Sequence, residues 1–474
     1  MISLTACGVQ PEPYSPYYLV TPPADATVTP TPFQPSGAAF ESVFMTALPA
    51  VIPTKNRDYS IPTLPHPIPS ASPFPTVTQP PNQPNPQVVT QAEPLIDTGG
   101  AVTFLLLGAD SRSGSSFRTD TLLVGIVRPN DGQVSLISIP RDLWVNIPTV
   151  GLQRINTAFE FGENSGYAGG GAGLLKDTLL FNLGLKIDHT VMVDFDGFRK
   201  TIDTIGGIDV PVVCAYTDWR LRDPSYDPQN ADNWFMYTAG PGLMHMDGDL
   251  ALWYARSRKH SNDFDRGRRQ QEVIRSIYAQ VLRSNLVSRI PQLYSDLSSS
   301  FTTDLGLADI LKLSPLALHL TNADIRSYFI AGDLVTDWVT PGGADVLLPN
   351  TQLIQQMISR AITSSPIQAE RQKIKVEIQN GSSTDGWDAL AAERLNYAGY
   401  QTSFQSADTR QHPVTLLYDL TPDQNRTRTA SLLAVLGLPE SALVSAPSKD
   451  DKVSYVLIVG SDYTACFSPS SLTP

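Results

Sequence analysis

Cysteine is scarce in this chain. Three occur in 474 residues, Cys7, Cys214 and Cys466, at spacings that exclude a zinc-binding cluster or a C-x-x-C redox pair. The six histidines are scattered and form no H-E-x-x-H or other ligand pair, so each reads as a surface or structural residue. No run of 18 or more apolar residues occurs, so nothing in this sequence crosses a membrane as a helix. Net positive charge is also missing. The balance is −12, which argues against nucleic acid as a partner, and no helix-turn-helix signal offsets it. The glycine-rich run Gly166–Gly173 lacks the Gly-Lys-Ser/Thr of a phosphate loop. It reads as a flexible rim before a helix over Leu174–Asn182.

Proline is plentiful but confined. Of 39 prolines, 21 precede residue 95, a density at which neither helices nor central strands form. Residues 1–95 therefore read as a disordered, Pro-rich tether. Near its start, Leu4-Thr5-Ala6-Cys7-Gly8 resembles a bacterial lipobox. The resemblance implies lipidation of Cys7 and anchorage to a membrane surface. Only six residues precede Cys7, short of the basic and apolar regions of a signal peptide, so either a start codon upstream of Met1 or a trimmed chain is expected.

The stretch from Phe104 to Asp142 carries the first concentration of chemistry. Apolar runs at Phe104–Leu107, Thr121–Val127 and Val134–Ile139 read as three strands, the last two joined by the turn signal Pro129-Asn130-Asp131-Gly132. Asp110, Arg112, Arg118 and Asp120 fall in the loop between the first two, and Pro140-Arg141-Asp142 ends the third. Acids and arginines thus collect at strand ends, where open α/β sheets bind ligands. Carboxylates there can hold a hard metal ion, and guanidinium forks can grip phosphate. For isolated aspartates, turn capping is the alternative. Further on, strands at His189–Asp194 and Ile208–Val213 alternate with helices at Phe195–Ile205 and Met246–Arg256, which argues for a layered α/β domain. Residues 216–240 read as loop.

A second concentration follows. Arg256, Arg258, Arg266, Arg268 and Arg269 fall within fourteen residues of an acidic chain. Arg256 and Arg258 alternate, so an extended segment would point both one way. Arg266, Arg269 and Gln270 share one face of a helix continuing through Ile277. An anion would relieve their mutual repulsion. Pairing with Asp263 and Asp265 on a solvated face is the alternative.

From Lys373 a small α/β unit begins, with strands at Ile374–Gln379, Tyr400–Ser406, Val414–Tyr418 and Val453–Val459 and helices at Trp387–Ala398 and Arg426–Leu436. Catalytic residues are not evident in it. Cys214 and Cys466 lie in different units, so two unpaired buried cysteines are expected.

Together, Gly108-x-Asp110-x-Arg112, Arg118-Thr-Asp120-Thr121, Ser138-Ile-Pro-Arg141-Asp142, Arg154-Ile-Asn156, Gly206-Gly-Ile-Asp209-Val, Ala251-x-x-Tyr254-x-Arg256-x-Arg258 and Asp263-x-x-Arg266-x-x-Arg269-Gln270-Gln271 resemble the LytR-CpsA-Psr family. The C-terminal pattern from Val376 resembles the LytR C-terminal domain. The resemblance implies an α/β/α sandwich around a mixed sheet over residues 96–365, with an apolar pocket for a prenyl chain. A small α/β domain would follow at 371–467. It implies an extracytoplasmic phosphotransferase that moves a glycopolymer from a polyprenyl-diphosphate carrier to peptidoglycan or another cell-envelope acceptor. Asp110 and Asp120 match the acids holding Mg²⁺. Arg118, Arg141, Arg256, Arg258 and Arg266 match the diphosphate-gripping arginines, Gln270 a polar site residue and Asp263 a nearby acid. Arg112 and Arg269 fit the motifs.

Attack by a sugar hydroxyl on a polyprenyl diphosphate meets negative charge, so catalysis rests on positioning and charge stabilisation. Asp110 or Asp120 could accept the hydroxyl proton. Two rivals remain on sequence alone: a hydrolase using water at the same site, and an envelope protein that binds polyprenyl phosphates without turnover. For the transferase, Arg118→Ala or Arg256→Ala is expected to abolish transfer by the purified protein while leaving its circular dichroism and melting unchanged, because a phosphate contact is lost rather than core packing.

Overall fold

The computed structural model describes residues 93, 95–111, 117–258, 263–363, 366–448 and 452–467, with only the main chain at 110–111, 117–118, 263 and 366. The proline-rich stretch, Cys7 and Arg112 lie outside the described residues.

Strands β1 (Val102–Ser111), β2 (Phe117–Arg128) and β3 (Gln133–Ile139) form an antiparallel meander. The His189–Asp194 strand adds parallel to β1, and Phe301–Thr303 adds antiparallel beyond it. On the other side Ile325–Phe329 pairs parallel with β3. The result is a six-stranded mixed sheet. Side chains alternate across it. Leu105, Leu107, Leu122, Val124 and Ile137 pack on one face against Leu174, Leu175 and Leu179 of one helix and Ile354 and Ile358 of another. Leu106, Leu123, Leu136 and Ile325 pack on the opposite face with Ile274 and Tyr278. Helices therefore cover both faces, as the α/β/α expectation requires.

Helices α1 (Ala158–Ser165) and α2 (Gly170–Leu183) lie in close contact. A Cβ on Gly162 would sit 2.6 Å from the Gly170 carbonyl oxygen, and one on Gly171 would sit 2.4 Å from that of Phe159. The expected flexible rim is thus corrected: Gly170–Gly173 belong to α2, and Gly171 lets two helices touch backbone to backbone. Helix α3 (Phe195–Thr204) is capped by Asp194, which accepts from Gly197 N at 2.7 Å. Helix α4 (Gly248–Arg256) is capped by Asp247, which accepts from Leu250 N at 2.8 Å. Each such cap contributes about 1 kcal/mol. Helix α5 (Asp263–Arg283) is the longest among the described residues, at 21 residues.

The stretch 216–240 is likewise more ordered than its composition suggests. Strands Tyr216–Leu221 and Trp234–Ala239 occupy its two ends, and the Thr217 and Thr238 hydroxyls lie 2.8 Å apart. The aromatics that read as loop residues form a cluster instead: Tyr216 and Tyr237 flank the buried Trp253 at 5.8 and 5.2 Å. The segment 221–234 joins these strands. Within it Asp223 Oδ1 accepts from Ser225 N, and Trp234 Nε1 donates to Pro228 O.

A second sheet is built from Lys375–Asn380, Gln401–Gln405, Leu416–Asp419, Leu443–Ser445 and Tyr455–Val459. Its core takes in Val213, and Cys214 packs beside it. The two sheets are also joined by a buried ion pair, Arg275 Nε to Glu393 Oε1 at 3.1 Å. At this junction Cys214 and Cys466 form a disulfide, with sulfurs 2.05 Å apart across 252 residues of sequence. The expectation of unpaired cysteines is therefore wrong. It rested on the absence of an interface between the two sequence units, and that interface exists. Among the described residues, no helix is long and apolar enough to cross a membrane.

A cross-link that closes so long a loop restricts the unfolded chain strongly. Replacing both Cys214 and Cys466 by Ala is expected to lower unfolding free energy by about 2–5 kcal/mol, read by urea titration, and reductant is expected to produce the same loss in the wild type only.

Candidate active site

The site begins with an irregularity in the β1–β2 pairing. Gly108 faces Thr121, yet the next residue, Ala109, faces Thr119. Asp120 is the extra residue, and a bulge of this kind re-aims a side chain near the end of a strand. Gly108 suits the position because a Cβ there would press on Thr121 Cβ and Oγ1 at 3.1 Å. Thr119, fully buried, donates to Asn156 O at 3.2 Å and holds the bulge from below.

Three separate stretches deliver arginines to Asp120. Arg141, just beyond β3, places Nη1 3.3 Å from Asp120 Oδ1. Its Nε lies 3.2 Å from Asp142 Oδ2, and Arg154 Nε lies 3.5 Å from Asp142 Oδ1. Arg258, just beyond α4, places Nη2 3.0 Å from the same Oδ1 of Asp120. Arg266, in the first turn of α5 and only 5% exposed, lines a cleft with Asp120, Gln270, Phe264, Ile139 and Phe329. Gln270 Nε2 donates to Thr121 Oγ1 at 2.9 Å and to Ala255 O at 3.3 Å. The residues near 110–142 and those near 256–270 thus converge on one half-buried carboxylate.

Burial is the largest single influence on the Asp120 carboxyl and favours its neutral form. The nearby charges of Arg258, Arg141 and Arg266 together overcome it and hold the pKa below the ordinary 3.8. The group is therefore ionised throughout the physiological range. Because the folded pKa is depressed, the associated stability is present above the unfolded value of about 3.9 and is lost as pH falls through the folded value.

Not every predicted residue takes the place its sequence pattern suggests. Arg256 and Arg258 do not share an extended segment, since Arg256 ends α4. Its guanidinium lies 3.5 Å from the centre of the Phe195 ring, at the start of α3. Arg268 and Arg269 turn inward. Arg268 pairs with Glu272, which accepts from the Tyr254 hydroxyl at 2.7 Å. Arg269, fully buried, donates to the carbonyls of Tyr254 and Ser257. The basic run is thus part site and part framework: Arg266 and Gln270 line the cleft, whereas Arg268 and Arg269 bond to buried groups. Asp110 pairs with Arg118 in the β1–β2 register, but the side chains of Asp110, Arg118 and Asp263 lie outside those described. Phe195 and Asp218 are the neighbours that sequence inspection missed. Phe195 reads only as a helix start and Asp218 only as a loop acid, so neither carries a local signal. Among the described residues no group of three or more acids, histidines or cysteines is placed to hold a metal by itself.

If Arg258 is a main source of the depressed pKa, Arg258→Ala is expected to raise the Asp120 midpoint. A carboxyl NMR titration without divalent cations reads this, and an unchanged midpoint would contradict the geometry.

The sequence is similar to those of known proteins. The pattern of the LytR_cpsA_psr family matches residues 76–363, and that of the LytR cell envelope-related transcriptional attenuator matches residues 373–463. The chain is 31% identical over 225 residues to the polyisoprenyl-teichoic acid–peptidoglycan teichoic acid transferase TagU of Oceanobacillus iheyensis, covering 47% of this chain and 64% of that protein. It is 28% identical over 264 residues to biofilm regulatory protein A of Streptococcus mutans, covering 53% and 61%. The matched regions span just under two thirds of these curated relatives. Among solved structures, that of Bacillus subtilis TagV is similar with 25% identity and a TM-score of 0.45, over 56% of this chain and 98% of that one. With its acid–arginine motifs brought to one cleft and its sequence matched over residues 76–363, the chain belongs to the LytR_cpsA_psr family.

Proposed function

We propose that this protein is an extracytoplasmic phosphotransferase. It moves a glycopolymer from a polyprenyl-diphosphate carrier to peptidoglycan or another cell-envelope acceptor. The observation that carries the proposal is the convergence of Arg141, Arg258 and Arg266 on Asp120 beside a cleft with apolar walls. Kinship with proteins named as teichoic acid transferases supports it. Attachment to the membrane through Cys7 belongs to the same proposal and rests on the lipobox resemblance.

A diphosphate entering this cleft would meet guanidinium groups already oriented by Asp120 and Asp142, which lowers the reorganisation that charge stabilisation otherwise requires. Arginine suits the task because it stays ionised and can donate two parallel hydrogen bonds to phosphate. In the transfer, the acceptor hydroxyl oxygen bonds to the sugar-bearing phosphorus. The bridging P–O bond breaks, polyprenyl phosphate leaves with the electron pair, and the hydroxyl proton passes to a base. The depressed pKa makes Asp120 a weak proton acceptor, so its role is electrostatic.

Magnesium fits the donor chemistry. Mg²⁺ is typically bound by one or two carboxylates together with phosphate oxygens and water, and Asp120 is ionised and partly open to solvent. The ion would be held by the Asp120 carboxylate, with Asp110 as the second acid that the family resemblance implies. Bound there, Mg²⁺ would neutralise charge on the diphosphate.

The test is product analysis with a defined polyprenyl-diphosphate glycan. Transfer is expected only with a glycan acceptor, to cease with EDTA and to return with Mg²⁺. Arg258→Ala is expected to lower kcat by about 10²–10³, as for loss of one preorganised donor. Release of free sugar phosphate without acceptor at the same rate would point to a hydrolase, and binding without turnover to a carrier.

A further inference from the structure

The geometry assigns a positioning role to Asp218 and Arg269, which together clamp the peptide unit between Ser257 and Arg258. The two faces of that one peptide group are held by two buried, oppositely charged side chains. Its carbonyl oxygen, on Ser257, accepts from Arg269 Nη2 at 2.6 Å. Its N–H, on Arg258, donates to Asp218 Oδ2 at 2.9 Å. Asp218 is 3% exposed and Arg269 fully buried. Hydrogen bonds in which one partner is charged are shorter and about twice as strong as neutral ones, and low surrounding polarity strengthens them further.

Each clamp residue is itself fixed. Asp218 accepts from the Tyr216 hydroxyl at 2.9 Å through Oδ2 and from Trp219 N at 2.7 Å through Oδ1. Arg269 lies over the Tyr216 ring, 3.9 Å from its centre, and donates to the Tyr254 carbonyl. Tyr216 therefore touches both members of the clamp, with its hydroxyl on one and its ring on the other. The chain turns out of α4 at Ser257, the capping residue of that helix. Without a side-chain hold the next residue would be free to choose its direction. With the peptide plane held at both ends, the Arg258 side chain departs toward Asp120, where its guanidinium arrives at 3.0 Å. Asp218 lies too far along this chain of contacts to be a catalytic residue; it acts through Arg258.

This assignment rests on the proposed function only for why Arg258 matters, so the experiment reads the clamp separately. In the full chain, amide hydrogen exchange at Arg258 and binding of inorganic pyrophosphate are measured for the wild type, Asp218→Asn, Arg258→Ala and the double variant. In Asp218→Asn, exchange at Arg258 is expected to rise at least tenfold while Val273, in the core of α5, keeps its protection. Pyrophosphate affinity is expected to fall toward that of Arg258→Ala, with no further loss in the double variant. An unchanged Arg258 exchange rate, or losses that add in the double variant, would overturn the clamp. A wild type that binds no pyrophosphate would count against the proposed function, while the exchange data would still decide the clamp. Should Asp218→Asn not fold, Arg269→Lys releases the carbonyl side of the same peptide, and the same local rise in exchange is expected. Its absence would be equally decisive.

Discussion

One carboxylate oxygen, Oδ1 of Asp120, gathers the charged groups of the cleft. It draws Arg141 from the end of β3 and Arg258 from the end of α4 into contact, and Arg266 from α5 adds its field. Three guanidinium groups would repel one another without it. Removing one partner from such a partly buried set leaves uncompensated charge, which costs more than the pair's net contribution. The bulge that aims Asp120 is therefore the detail on which the site most depends. It is built from Gly108, Thr119 and Thr121, none of which is charged.

Behind the site stands a framework of inward-turned ionic groups. Arg268, Glu272 and Tyr254 form one buried network, and Arg275 with Glu393 forms another that joins α5 to the helix Trp387–Tyr397. Helix α5 thus carries Arg266 and Gln270 at its beginning and the junction with the second sheet two turns later. The unit of the second sheet is stapled to that of the first by this ion pair and by the Cys214–Cys466 disulfide. Such charges inside a protein are costly unless fully paired. Their pairing fixes the roll of α5 about its axis, and with it the direction of Arg266.

Much of this was legible in residue order. The strands β1 to β3, the capped helices α3 and α4 and most of the C-terminal strands follow from apolar periodicity and from Asp or Gly at element ends. Asp120, Arg141, Arg258, Arg266 and Gln270 stood out because acids and arginines cluster at strand ends and in a short basic run. What escaped inspection has no local signature. Tyr216 and Tyr237 read as loop because aromatic residues next to Asp, Pro and Asn suggest turns, yet they pack around Trp253. Gly170–Gly173 read as a flexible rim because glycine is commonest in loops, yet close helix packing also requires it.

Sequence by itself determined the α/β class, the family and the chemical identity of the groups that meet at the site, since these depend on residue type, spacing and period. Tertiary structure decided which arginines face the cleft and which face the core, because that choice depends on the orientation of α5 against the sheet. It also decided that Asp218 serves Arg258 forty positions away, and that Cys214 finds Cys466. Those pairings are set by proximity in space, and no local pattern in the chain encodes a distance between residues that only folding brings together.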